Sequence, residues 1–226
     1  MKLGVMQPYF MPYIGYFQLM KAVDKYVVYD DVNYIKGGWV NRNHILINGE
    51  KEMFTVTLKK ASQNKLFNDD FKKLMKTLQL NYSKAVNFDQ TMTLMKRIIS
   101  FSDKRLAAFI ANSFREIFSY LSIDTEILMS SDIPKDNSLR GKDKILQICE
   151  ILGADTYYNA IGGQNLYDKK EFSEHGIVLN LVDTIPKVYS QLRTKEFVPY
   201  LSMIDVLMNN TKDEVNDLLD SFCVRY

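Results

Sequence analysis

Leu3-Gly4-Val5-Met6-Gln7-Pro8-Tyr9-Phe10-Met11-Pro12-Tyr13-Ile14-Gly15-Tyr16-Phe17 is the stretch whose reading decides the fold. Leu3 to Met6 is a short apolar run that reads as a buried strand. The turn behind it packs two prolines, a glycine and five aromatics between Met6 and Phe17. Each proline removes a backbone donor, fixes φ and pushes the residue before it into an extended shape. A plain connection needs only a few small polar residues. A stiff aromatic turn at the end of a strand suits the place where open α/β proteins hold their ligands.

Working outward, Ile14, Phe17, Leu19, Met20 and Val23 mark a short helix, and Lys25 to Asp30 reads as a second strand, β-branched and aromatic. A right-handed crossover between parallel strands puts both carboxyl ends on one edge of the sheet. Gln7-Pro8-Tyr9 is therefore expected beside Asp30-Asp31. Val32 to Asn43 is a polar loop with the lone tryptophan, Trp39. His44–Ile47 and Met53–Leu58 flank Asn48-Gly49, a strong hairpin signal because both central residues of the turn need positive φ. Apolar residues then recur at helical spacing over residues 69–122. Strands follow at Glu126–Met129, Thr156–Asn159 and Ile177–Val182, with helices at Asp143–Leu152, Glu171–His175 and about 200–209 and 212–221. The expected architecture is a Rossmann-like three-layer α/β fold with a mostly parallel sheet of about five strands. It carries an added β-hairpin and a helical insertion, 69–122, within a single domain over 1–226.

Composition sets bounds. The 226 residues are 46% hydrophobic and 25% charged, ordinary for a folded domain, and a net charge of +2 gives no case for nucleic acid. The two cysteines, Cys149 and Cys223, lack zinc-site spacing and read as reduced thiols. The start of the chain lacks the layout of a secretory leader, and no apolar run approaches the roughly 20 residues of a membrane span, so a cytoplasmic protein is expected. G-x-S-x-G, H-E-x-x-H and the kinase motifs are all missing.

Several clusters have the composition of a site. Asp30-Asp31 closes the second strand and offers a hydroxyl acceptor, metal ligand or general base, the alternative being a turn or helix cap. Trp39-Val40-Asn41-Arg42-Asn43-His44 combines a stacking face, amide donors and acceptors, an anion-binding fork and an imidazole that titrates near neutral pH. Leu139-Arg140-Gly141-Lys142-Asp143 opens a helix, where backbone N–H groups favour anions. Gly162-Gly163 follows a strand and lets backbone approach a ligand, with Tyr167 close behind. Ser202 and Asp205 read as a helix cap with its first-turn carboxylate, and His175 as a C-terminal cap.

Taken together, these residues resemble the WbqC-like protein family. The match runs through Gln7-Pro8-Tyr9, Pro12 with Gly15-Tyr16-Phe17, Ala22 with Asp24, Tyr29-Asp30-Asp31-Val32, and Tyr34 with Trp39, Asn41, Arg42 and Asn43. It continues through Ile148-Cys149, Leu152-Gly153-Ala154, Gly162-Gly163, Tyr167, Phe172, Gly176-Ile177, Tyr189, Gln191, Phe197 and Leu201-Ser202 with Ile204-Asp205 and Leu207. The resemblance implies a role in O-antigen or other surface-polysaccharide biosynthesis, as an N-acyl or aminoacyl (for example glycyl) transferase acting on a nucleotide-linked amino sugar. The donor would be an acyl-CoA, or an amino acid with ATP and Mg²⁺. Strand-end geometry then assigns Asp30, Asp31 and His44 to catalysis. It assigns Gln7, Tyr9, Tyr34, Trp39, Asn41, Arg42, Asn43, Arg140, Gly162, Gly163, Tyr167 and Gln191 to substrate binding, with no metal site. Two alternatives stay open. Tyr13-Ile14-Gly15-Tyr16 stands where nucleotidyl-transferase-like Rossmann proteins carry H-x-G-H, which suggests nucleotidyl transfer or ATP-dependent ligation with both histidines replaced. A non-catalytic sugar-nucleotide-binding module would use the same aromatic and polar residues.

Overall fold

A computed structural model describes residues 1–33, 35, 37–59, 66–67 and 71–225. The chain runs β1 (Lys2–Met6), α1 (Ile14–Lys21), β2 (Lys25–Val28), the hairpin strands β3 (Arg42–Ile47) and β4 (Glu50–Thr55), and the short pair β5 (Leu58–Lys59) and β6 (Leu66–Phe67). Three helices follow, α2 (Lys72–Tyr82), α3 (Phe88–Ile99) and α4 (Leu106–Leu121). Then come β7 (Glu126–Met129), α5 (Gly141–Leu152), β8 (Thr156–Ala160), α6 (Lys169–Glu174), β9 (Val178–Thr184), α7 (Met203–Asn209), α8 (Lys212–Leu219) and β10 (Phe222–Arg225).

The main sheet has the order β10-β9-β8-β1-β2-β7. Five strands are parallel, and β10 alone runs antiparallel, against β9. This is the doubly wound Rossmann-like order, with its switch point between β1 and β8. The pleat sorts side chains onto two faces. Leu3, Val5, Val27, Tyr157 and Leu179 pack with Ile145, Ile148 and Cys149 of α5 and Phe172 of α6. Tyr26, Val28, Tyr158 and Val182 pack on the other side with α1, α4, α7 and α8. Both faces are covered, which is why the strands read as continuous apolar runs rather than alternating ones.

The hairpin turn is the one expected: Asn48 and Gly49 have φ of 54° and 87°. β3 starts two residues earlier than the expected strand, so Arg42 and Asn43 belong to the ladder, opposite Thr55 and Phe54. β10 is an addition that the sequence reading lacks. Its four residues pair with β9, and the segment just before them is tied back early in the chain. Gln18 of α1 donates to the carbonyls of Leu218 and Ser221 at 2.9 and 3.0 Å.

The aromatic turn after β1 is pinned at its middle. Met11 has φ of 49°, a left-handed conformation costly for a side chain of its size. Its carbonyl accepts from Asn43 Nδ2 of β3 at 2.8 Å and from Ser202 Oγ, at the start of α7, at 2.7 Å. Phe10 N–H donates to the Val40 carbonyl and Met203 N–H to the Pro12 carbonyl, both at 2.8 Å. The turn is thus over-determined from the hairpin and from α7, the condition under which backbone strain persists near a site.

Candidate functional site

Two concavities flank Gln7-Pro8-Tyr9 at the carboxyl edge of the sheet. The first, about 430 Å³, is lined by Tyr9, Pro12, Tyr13, Trp39, Asn43, His44, Lys51 and Tyr200. Its walls are largely rings. Tyr13 meets Tyr200 edge-on at 5.9 Å, and Trp39 lies 5.4 Å from His44. Trp39 and Tyr200 keep 45% and 52% of their surface exposed, so stacking area is left for a ligand. The Arg42 guanidinium sits over the outer Trp39 ring at 5.6 Å, and its Nε is buried without a partner. Burial, helped by the charges of Lys51 and Arg42, holds the His44 imidazole below its ordinary pKa of 6.5. At neutral pH the ring is therefore a proton acceptor.

The second concavity, a cleft of about 610 Å³, is lined by Gln7, Asp31, Val32, Asn33, Ile35, Ser131, Asn137, Arg140 and Lys144. Met6 and Val28 are register partners, which brings Gln7 and Asp31 to the same opening. Asp31 Oδ2 receives two ammonium groups, Lys135 at 2.9 Å and Lys144 at 3.2 Å, whose side chains are 1% and 3% exposed. Burial alone would raise the Asp31 pKa. The donors on Lys135, Ser130 and Lys144 outweigh burial and hold the carboxyl below its ordinary value. Ser130 approaches without completing a hydrogen bond, since its Oγ and Asp31 Oδ1 are both buried and unpartnered. Asp30 is turned aside, accepting from Ser131 N–H at 2.9 Å and Ser131 Oγ at 2.7 Å. A carboxylate clamped by two cations is a weak base, so His44 is a better proton acceptor than Asp31.

The other expected residues fall into groups. Gln7 and Arg140 border the cleft, and Tyr9, Trp39 and Asn43 border the aromatic cavity. Asn43 also spends its amide carbonyl on His44 N–H at 2.8 Å. Asn41 Nδ2 donates to the Val56 carbonyl at 2.7 Å and borders neither space. Tyr167 packs on Tyr157 and Phe172. Gln191 bonds Val198 and the buried Asp205, which also accepts from Tyr82 and Tyr189, each at 2.7 Å. Gly162 and Gly163 sit in the tight turn after β8, where Gly163 lies against the Asn159 side chain. Tyr34 lies outside the described residues. Ser202 caps α7 as expected, whereas the Asp205 side chain joins the tyrosine network instead of completing the cap. His175 closes α6 and pairs with Glu150.

Pro12, Tyr13, Lys51, Lys135, Lys144 and Tyr200 are the additions. Lys144 carried a legible signal, a charge on the same helical face as Ile148 (i, i+4). Lys142, beside it in sequence, instead pairs with Glu171 on the surface. Among the described residues no group of three His, Cys, Asp or Glu could hold a metal ion, and no helix is long and apolar enough to cross a membrane.

A doubly wound, mostly parallel sheet covered by helices on both faces defines a Rossmann-like α/β protein, and both concavities lie beside the turn that leaves β1. The family model of the WbqC-like protein family matches residues 7–217, and the chain belongs to that family. It is also similar to an uncharacterized protein of Mycobacterium tuberculosis, Rv1507c, at 27% identity over 219 residues, 92% of this chain and 93% of that one. No solved structure matches.

Proposed function

We propose that the chain transfers an acyl or aminoacyl group to the amine of a nucleotide-linked amino sugar held in the aromatic cavity, with His44 as the base. The observation that carries this reading is an imidazole kept neutral inside a ring-lined cavity at the strand ends. Rings suit the apolar faces of a sugar or a base. As the amine attacks, the new C–N bond forms and His44 accepts the amine's proton. The acyl carbon's bond to the donor then breaks, and the leaving group, the CoA thiol or AMP from an aminoacyl adenylate, departs, the thiol taking the proton back from His44. Lys51 in the same wall can neutralise the developing oxyanion. The role in surface-polysaccharide assembly rests on the family resemblance.

The test is a product screen by mass. Purified protein receives UDP- and dTDP-linked amino sugars with pooled acyl-CoA donors, and separately glycine with ATP and Mg²⁺. A product heavier by an acyl or glycyl mass, reduced about 10²-fold or more in His44→Gln, is expected. Saturable binding without any product across these donors would replace the transferase with a binding module.

A further inference from the structure

The cleft behind Gln7 holds more positive charge than its own carboxylates use. Lys144 is buried to 3% exposure, lines the cleft, and makes one long hydrogen bond, 3.2 Å to Asp31. Among the described residues its other contact is with the Tyr29 ring, 5.7 Å away. An ammonium carries three donors, so this one is buried with donors to spare. Lys135 also gives a hydrogen bond to the Ser130 carbonyl, and so is better satisfied. Among the described residues Arg140, exposed at the mouth, commits Nη1 to the carbonyls of Asn137 and Leu139. The planar fork has further N–H groups for an oxyanion. Among the described residues, two cations, Lys144 and Arg140, line the cleft beside one carboxylate, Asp31, which Lys135 also pairs; Asp136 lies near Arg140 outside the lining, and Asp30 is occupied by Ser131. A buried charge is costly unless it is paired and fully hydrogen-bonded, and Lys144 is only half served.

We propose that this cleft binds a diphosphate group through Lys144 and Arg140, and that Asp31, paired also with the buried Lys135, is the internal counter-ion that holds the lysines in place until the anion arrives. The anion takes the donors that Asp31 leaves unused, and Gln7 supplies an amide from the same lining. Gln7 and Tyr9 are two residues apart, so their Cα atoms are separated by no more than about 7 Å. One extended ligand can therefore reach both spaces. The inference deepens the transferase reading by giving a place to the diphosphate of a nucleotide-linked sugar. It rests on that reading only for the ligand's name.

The experiment is calorimetric titration of the full chain, in EDTA and without donor or acceptor, with inorganic pyrophosphate, UDP and uridine. Pyrophosphate and UDP are expected to bind and uridine to bind far more weakly. Lys144→Met is expected to weaken pyrophosphate about tenfold or more, and Arg140→Gln, at an exposed position, by a smaller factor. Asp31→Asn removes a competing charge, so pyrophosphate is expected to bind tighter and to raise the melting temperature more than in the parent. Binding of uridine equal to that of UDP would overturn the proposal. So would pyrophosphate affinity unchanged in Arg140→Gln and in folded Lys144→Met, or weaker affinity in Asp31→Asn. Lys144-dependent binding without any transfer product would sink the transferase and keep this site. Product formation with no Lys144-dependent anion binding would do the reverse.

Discussion

His44 and Asp31 show how neighbours divide labour among residues of similar chemistry. Both are depressed in pKa, with opposite consequences. A depressed imidazole is ready to accept a proton at neutral pH; a depressed carboxylate is committed to its charge. As the essential base, His44 works only when unprotonated. kcat/KM should therefore be flat through neutrality and fall only as pH drops through the lowered His44 value, below 6.5. A pH–rate profile with its acid limb above 6.5 would point to another base. Asp31 acts on stability instead. Its folded pKa lies below the ordinary 3.8, so its contribution is full at neutral pH and is lost as pH falls through the folded value. Gly49 is a third residue set by its surroundings. At φ of 87°, a Cβ there would stand 2.1 Å from the Arg193 carbonyl oxygen. Gly49→Ala should cost about 1–3 kcal/mol or more and lower the melting temperature by several degrees. An unchanged denaturant midpoint would show that the loop carrying Arg193 gives way freely.

At the scale of elements, the turn after β1 depends on β3 and α7 for its shape. Asn43→Ala removes the Met11 tether on the β3 side, at a cost of about 1–3 kcal/mol, and lets Tyr9, Pro12 and Tyr13 drift. Its KM should rise more than kcat falls, since His44 keeps its place in the ladder; steady-state kinetics on the transfer product check this. The Asp205 network ties α7 to Tyr82, Tyr189 and Gln191 in the same way. Asp205→Ala strands the hydroxyls of Tyr82 and Tyr189 and should destabilise by about 3 kcal/mol, measured by urea unfolding. Much of this level was legible in the sequence. Leu3–Met6, the Asn-Gly hairpin and the apolar spacing of α3 and α4 each carry a local signature, and local signatures survive without a structure. Phe222–Arg225 carries little, because four residues directly after a helix have no room for a period. Asn41, Asn43 and Gln191 look like ligand-binding amides, and their principal bonds turn out to be spent on backbone carbonyls and Asp205. Only contacts between segments far apart in sequence separate those two uses.

At the scale of the molecule, strand order is what made the site. Crossovers run one way from β1 to β7, then return to β8, and the reversal opens the edge where Gln7 sits. Adjacency of the first two strands follows from the first crossover and was legible. The placement of β8 beside β1 was not, since parallel neighbours leave no mark of partnership on each other's sequence. The same order has a consequence for the chain as it is made. β1 finds β2 within some twenty residues, but its other edge pairs with Thr156–Tyr158. At ribosomal rates of roughly 5–20 residues per second, that partner emerges on the order of ten seconds later. Over this interval the central strand of the nascent protein has one side unpaired. The final fastening, Gln18 to Leu218 and Ser221, comes later still. Yield on expression should thus respond to translation speed and to chaperones that shield open strand edges, more than the stability of the finished protein would suggest.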